Sequence, residues 1–450
     1  MAIKYIYIFL SFAFGYLIAI KKPNLLFLYW LSLQPIIMPL YVFLFTSGLD
    51  LDSFDKLYFS YPIGVNLLFI FLFLIKFTQK RLPPVYYRTI IVPIILLLFF
   101  LILQGCYTHF SLPSILRTTL LSINTVCPLL LLLIDKKYRP ERIVLKKYVC
   151  FVIILQVSFC ILNYFGITVY PILNQNESFS NHLISGTFGR YNHMTNYLTT
   201  IYLFITYEYF EKKEISVYIF ILFSIAIGLI VLFSGARMSM VLFGFSIIVF
   251  FLLDNIKRFH IGNLILLFTV LFVGWKYLIQ SEVTSNSEAN EGTGVERNMS
   301  GLSNFLQNDL EDDDSTVSLS FYLLTSYFNN PIVGNGYSYL GDDAYYLNSA
   351  INQSAFIADA RLAYMIVEYG LVGVLVYLLL YRGIYKSLLI SCLKEDELIV
   401  KVGYIYFFIC TLTEGGFFDV GIFTMLIIYC FQKDRQPPVR KAAKVVDLGI

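Results

Sequence analysis

The sequence predicts an all-α polytopic membrane protein with about 12–13 transmembrane helices and one long extracytoplasmic loop containing an amphipathic helix. Three observations predict it. The 450 residues are 58% hydrophobic and only 14% charged, with a mean hydropathy of +0.71, whereas a soluble domain carries about 25% charge. Apolar stretches of about 20 residues, the length that crosses a hydrocarbon core, recur along nearly the whole chain. The lysines and arginines between them gather in alternate connections, the bias that orients a threaded membrane protein.

In order, the candidate spans are 3–20, 24–46, 58–76, 89–106, 113–134, 148–170, 191–210, 216–233, 238–254, 261–279, 358–381, 400–414 and 417–432. The first ends at Lys21-Lys22 with no small-residue cleavage site, so it reads as a first helix and not as a cleaved signal. The second contains Pro35 and Pro39. Proline removes a backbone donor and collides with the preceding turn, so a kinked or broken helix is expected there. The last two spans are short.

Orientation follows from the short connections. One alternate set holds Lys21 and Lys22, then Lys76, Lys80, Arg81 and Arg88, the cluster from Lys136 to Lys147, Lys212-Lys213, Lys257-Arg258, and Lys386, Lys394 and Lys401. A tail from Lys433 onward continues it. This set is expected on the cytoplasmic side. The other set holds SGLDLDSFD, CYTHFSLPS, the stretch ISGTFGRYNHMTNYLTT (184–200), SGAR, the loop 280–357 and EGGFFD. The organisation that results is 1–279 for transmembrane helices one to ten, 280–357 for the long extracytoplasmic loop, 358–432 for helices eleven to thirteen, and 433–450 for a cytoplasmic tail.

The long loop begins polar and Gly/Ser/Asn-rich, then carries VSLSFYLLTSYF (317–328) with apolar and aromatic residues at helical spacing. That segment reads as a helix lying at the membrane–water boundary. NNPIVGNGYS follows, and its proline and glycines predict a tight turn. The acidic run Glu311–Asp314 sits in a polar loop and reads as solvated, so no metal is expected. Seven cysteines lie in or beside apolar runs with no CxxC and no Cys/His spacing, which reads as small core residues without disulfides or zinc.

Beyond the first span, the cations on the outer set are Lys56 and Lys276 at helix margins and five arginines: Arg117, Arg190, Arg237, Arg297 and Arg361. Guanidinium binds phosphate through two parallel hydrogen bonds, keeps its charge and is less heavily hydrated than ammonium. A protein that holds a pyrophosphate at the outer surface would use it. The plainer reading is a set of interface anchors with snorkelling stems. Arg237 stands apart because it lies in a very short turn between two apolar helices (LFSGARMSM), where an unpaired cation is expensive. Arg361 opens an apolar helix two residues after Asp359, a carboxylate that also suits a helix N-terminus. Glu368 lies seven residues further on, on the same face two turns along. Tyr337 and its neighbours in the turn are candidates for stacking on sugars, and Asn192-His193 marks a helix entry.

GTFGRYNHMTNYL (186–198), LFSGARMSMVLF (232–243), NNPIVGNGYS (329–338) in one long loop and DARLAYMIVEYGLVG (359–373) resemble, in that order, the O-antigen polymerase and O-antigen ligase superfamily. The resemblance implies a glycosyltransferase in the bacterial cytoplasmic (inner) membrane, multi-pass, with its site on the extracytoplasmic face. It implies donor and acceptor oligosaccharides on undecaprenyl pyrophosphate, a chain-length regulator protein as a further partner, and no metal or other cofactor. The family's functional arginine carries over onto Arg237. The His-Asn pair of the ligase branch is replaced here by Asp359-Ala360, and Ser318 and Ser320 stand near the place of an arginine common in that branch. Both departures favour an O-antigen or capsule polymerase of the Wzy-like type. The expected site is Arg237, Arg361, Asp359 and Glu368 for catalysis, with Arg190, Arg297, Asn192 and Tyr337 for substrate. The alternatives are a ligase that moves glycan onto a lipid A core, and a flippase or transporter of lipid-linked glycan. The latter would show ionisable residues mid-span and broken helices in matching positions. Nothing in the charge pattern points to nucleic acid.

Overall fold

The computed structural model describes residues 2–37, 39–40, 51–79, 82–107, 126–165, 167, 184–188, 191–234, 236–258, 330–335, 361–392 and 394–413. These residues form helices and turns and no strand. The helices are α1 (Ala2–Lys21), α2 (Leu26–Leu31), α3 (Leu51–Gln79), α4 (Pro84–Tyr107), α5 (Val126–Ile134), α6 (Arg142–Tyr164), α7 (Tyr191–Phe210), α8 (Val217–Ser234), α9 (Arg237–Arg258), α10 (Arg361–Ser391) and α11 (Glu397–Thr413). Among the described residues four helical stretches are long and apolar enough to cross a membrane: Pro84–Tyr107, Lys136–Tyr164, Val217–Ser234 and Met365–Ser391. Tyr5–Lys21, Ile63–Gln79 and Ser239–Leu253 are shorter apolar helices. The chain is a helical membrane protein by that measure. The predicted spans 261–279 and 417–432 and the helix 317–328 lie outside the described residues.

Helices persist in lipid because each satisfies its own backbone groups, and the breaks occur where it cannot. Pro35 has no N–H, so α2 gives way to a wider five-residue turn, Leu33–Ile37, in which Ile37 N–H bonds to Ser32 O at 3.0 Å. The carbonyl of Leu31, which the residue at 35 would have capped, instead accepts the Tyr197 hydroxyl at 3.0 Å. The break expected in the second span is therefore present. A similar wide turn, Tyr87–Ile91, precedes Pro93 in α4. The carbonyl of Thr89 there faces Gly383 so closely that a Cβ at Gly383 would collide with it.

Three boundary expectations need correction. The predicted span 58–76 is the helix Leu51–Gln79, which takes in part of SGLDLDSFD, 148–170 is the helix Arg142–Tyr164, and 358–381 is Arg361–Ser391. Arg142, Lys146 and Lys147 belong to the first turns of α6, and Lys386 to the last turns of α10. Helical hydrogen bonding does not stop where hydropathy does, so these helices continue past their apolar windows into the polar boundary.

α1 packs along α3, and α7 is a second centre of packing. It contacts α8, α9 and α11, and its Thr195, Asn196, Thr199, Thr200, Thr206 and Glu208 are all buried. Side chains of α7 bond across helices: Thr199 with Tyr406 at 2.8 Å, Tyr202 with Ser224 at 2.6 Å, and Tyr197 with Tyr148 at 2.8 Å. In a membrane, where lipid is as apolar as leucine, such bonds and close packing hold helices together. The other faces present apolar side chains outward: α8 exposes Tyr218, Leu222, Ile225 and Leu229, and α4 exposes Ile95, Phe99 and Leu103.

The basic connections meet at one end. Asn24 bonds Glu141 at 3.3 Å, Lys76 pairs with Asp135 at 3.8 Å, Arg142 with Glu208 at 2.8 Å, and Lys146 with Glu214 at 2.7 Å. Tyr207 and Lys212 both reach the buried carboxylate of Asp396, at 3.2 and 3.1 Å. Tyr86 and Ser391 join α4 to α10 there at 2.8 Å. Burial opposes ionisation of Glu214, but donation from Lys146 and Arg142 outweighs it and brings the carboxyl down to about 2.

Candidate functional site

With the basic connections fixed at one end, helix direction places the opposite end. Among the described helices, the starts of α1, α3, α7, α9 and α10 and the finishes of α4, α6, α8 and α11 lie there. Three local arrangements build it.

The turn 184–188 precedes α7. Gly186 has φ 57°, a left-handed conformation that glycine tolerates. Its N–H donates to Asn163 Oδ1 at 2.8 Å, and a side chain in its place would strike Gln156 and Met194. Thr187 N–H donates to Gln156 Oε1 at 3.1 Å, Gln156 Nε2 donates to the Thr187 hydroxyl at 2.6 Å, and that hydroxyl donates to Pro35 O at 2.8 Å. Two lone amides on the apolar helix α6 thus satisfy the backbone of a buried turn, and the broken second span supplies the last acceptor. The turn 184–188 is a moulded entry to α7.

The SGAR turn is as tight as the sequence predicts. Only Gly235 and Ala236 separate the last residue of α8, Ser234, from the first residue of α9, Arg237. Ser234 Oγ accepts Ala236 N–H at 3.3 Å. Within the first turn of α9, Ser239 Oγ lies 2.7 Å from Thr195 Oγ1 and 2.8 Å from Asn196 Oδ1. These bonds hold the starts of α7 and α9 side by side, and with them the backbone of Asn192 and Arg237.

The third arrangement is a broken helix. At Gly370, α10 departs from helical geometry with φ 63° and ψ −176°. The turn Asn330–Asn335, closed by a Gly334 N–H to Asn330 O bond at 2.8 Å, fits into the break. Leu371 N–H donates to Pro331 O at 2.9 Å and Val372 N–H to Ile332 O at 3.0 Å, while Val367 O accepts Asn335 N–H at 3.0 Å. The Gln104 carboxamide of α4 completes the joint, donating to Val333 O at 2.5 Å and Glu368 O at 2.6 Å. Loop turn and helix lie so close that a Cβ at Gly334 would meet the Glu368 carbonyl, and one at Gly370 would meet Gly334 N. Glu368 and Tyr369, just before the break, are wholly buried.

Of the predicted residues, Arg237 and Arg361 are each the first residue of a helix, α9 and α10, and both helices start at the end opposite the basic connections. Asn192 is the second residue of α7 at that same end. His193, next to it, is half-buried. Glu368 shares α10 with Arg361 two turns along, as its spacing requires. Asp359, Arg190, Arg297 and Tyr337 lie outside the described residues, as does the acidic run 311–314. The four sequence patches pair in space, the first with the second through Ser239, Thr195 and Asn196, and the third with the fourth through the Gly370 joint.

Sequence reasoning passed over Gln104, Gln156, Asn163 and Ser239. Their signal was present: a lone amide in an apolar run, such as Gln104 in LLLFFLILQG or Gln156 in FVIILQVSF, is costly in lipid unless it has a fixed partner. What the partner is depends on contacts far along the chain, which periodicity does not encode.

Chemically, this end suits an anion. Helix N-termini carry positive partial charge from unpaired N–H groups. Among the described helices that start here, α9 and α10 open with arginine, and a buried carboxylate stands two turns below the start of α10.

No protein-family model and no curated protein matches this chain. The functional reading therefore rests on the four patches, their order and the geometry above.

Proposed function

We propose that the chain is a metal-independent membrane glycosyltransferase that polymerises a polysaccharide, an O-antigen or capsule, at the extracytoplasmic face of the bacterial cytoplasmic membrane. The basic end faces the cytoplasm by the charge bias of its connections, and the end with Arg237 and Arg361 faces outward. A growing glycan on undecaprenyl pyrophosphate is the donor, and a single repeat unit on the same lipid is the acceptor.

In this reading an acceptor hydroxyl attacks the anomeric carbon of the donor. The bond from that carbon to the phosphate oxygen breaks, and its electron pair leaves with the lipid pyrophosphate. The sugar passes through an oxocarbenium-like state, as in glycoside hydrolysis. Negative charge grows on the departing phosphate, and Arg237 and Arg361 stabilise it in place. Pyrophosphate leaves readily, so no general acid is required. Asp359 and Glu368 are the candidate bases for the hydroxyl proton. Arg190, Arg297, Asn192 and Tyr337 are assigned to holding the substrates.

One observation carries the reading. The helices beginning at Arg237 and Arg361 start at the same end of the bundle, away from the basic connections, with the Asn192 helix start beside the first of them. The experiment that tests it is elongation in detergent. Purified protein given an undecaprenyl-pyrophosphate-linked repeat unit should yield a ladder of lengthened lipid-linked products. Transfer only to a lipid A core would favour a ligase, and an unchanged substrate in an active preparation would refute both.

A further inference from the structure

We propose that Gln104 is a positioning residue for the acceptor-activating carboxylate, acting through the backbone of Glu368. The inference rests on the polymerase reading above and adds a part to its site. Gln104 is buried, on a helix that is otherwise apolar over its preceding turns. A primary amide has two N–H bonds to give, and its nitrogen contacts two acceptors, Val333 O and Glu368 O. The second of these is the carbonyl of the carboxylate residue itself, so the bond fixes the peptide plane from which the Glu368 side chain departs. The first belongs to the loop turn that fills the break at Gly370. One side chain therefore sets three pieces against each other: α4, the broken helix and the end of the long loop.

The helix that carries Gln104 is a rigid reference. At the other end of the same pair, Tyr86 bonds Ser391 and Thr89 bonds Ser387, at 2.8 and 2.9 Å. Between these ends Phe100 lies directly against Gly373. The break at Gly370 removes the continuous helical bonding that would otherwise hold the segment 361–369 in register. Gln104 replaces that restraint from outside the helix. An ordinary structural glutamine could have bonded any nearby carbonyl. This one spans the joint and takes the carbonyl of the buried acid.

The test is a comparison of three purified variants in the elongation assay. Gln104→Glu keeps the size but replaces both donated bonds by repulsion between acceptors. It should lower kcat about tenfold to a hundredfold, the scale of a small misplacement of a catalytic group, while KM for the lipid-linked acceptor stays within about twofold. Gln104→Asn keeps the donors on a shorter stem and should recover part of kcat. It also serves if the Glu variant fails to fold. Ser387→Ala loosens the same helix pair at its far end and should reduce thermal stability with kcat unchanged. Wild-type kcat in both Gln104 variants overturns the proposal, and so does an equal loss in Ser387→Ala, because the effect would then be one of helix packing. A wild-type protein that does not elongate overturns the polymerase reading itself, and this one with it.

Discussion

Replacing Gly370 by alanine tests the joint between the long loop and α10 without touching a polar side chain. Its backbone, at φ 63° and ψ −176°, lies in a region that residues with a Cβ hardly occupy, and holding alanine there costs about 1–3 kcal/mol. The new methyl would also meet Gly334 N and the Ile332 carbonyl, an overpacking that adds about 1–3 kcal/mol. Together these come to about 2–6 kcal/mol, a large part of the stability of a typical fold. Thermal unfolding of the detergent-solubilised protein, followed by circular dichroism, should show the Gly370→Ala midpoint lowered by several degrees or more. Gly244→Ala is the companion variant. Gly244 lies inside α9, and a Cβ there meets nothing within 4 Å, so alanine should be neutral or should raise stability by about 0.5–1 kcal/mol. Equal midpoints for Gly370→Ala and the wild type would refute the claim that the turn locks a strained break.

Further expectations follow from the same contacts. Tyr197→Phe removes the hydroxyl that caps Leu31 O at the Pro35 break and its bond to Tyr148. The stranded buried carbonyl should cost about 1–3 kcal/mol, and a midpoint unchanged from wild type would show that the break needs no cap. The Glu214 carboxyl is held down at about 2 by Lys146 and Arg142. Because its folded value is depressed, its contribution is complete above the ordinary carboxylate range and is lost as pH falls from about 4.5 toward 2. The stability gap between wild type and Glu214→Gln should therefore narrow across that window, and a constant gap would contradict the pairing. In a cysteine-free background, a membrane-impermeant thiol reagent should label a cysteine placed at Lys213 only in inside-out vesicles. Labelling from the other face would reverse the assigned orientation.

Much of the helical frame was legible because lipid enforces it: an apolar run of sufficient length has to satisfy its own backbone, and Tyr191–Phe210 and Val217–Ser234 fall within one residue of their predicted limits. Pro35 and the SGAR turn were legible for local reasons, a missing donor and a connection too short to wander. Helix ends were less so, since charge marks the edge of the membrane and not the end of hydrogen bonding. Lys386 and Arg142 stand inside helices for that reason. The Gly370 joint was not legible at all. Its sequence, EYGLVG, looks like an ordinary stretch of apolar helix, and the break depends on a turn some forty residues earlier and an amide on α4. Of the site, the sequence picked out the helix starts at Arg237 and Arg361 and the position of Glu368. It missed the glutamines that hold the surrounding backbone, because their partners are distant in the chain.

The central claim is that guanidinium groups at the end opposite the basic connections stabilise a departing lipid pyrophosphate. The most direct measurement compares wild type with Arg237→Lys, which keeps the charge and loses the paired donors, in elongation of an undecaprenyl-pyrophosphate-linked repeat unit. The account predicts that the variant, folded and membrane-inserted in normal amounts, leaves the single repeat unit unextended while the wild type builds a ladder. A ladder of wild-type length from Arg237→Lys would contradict it.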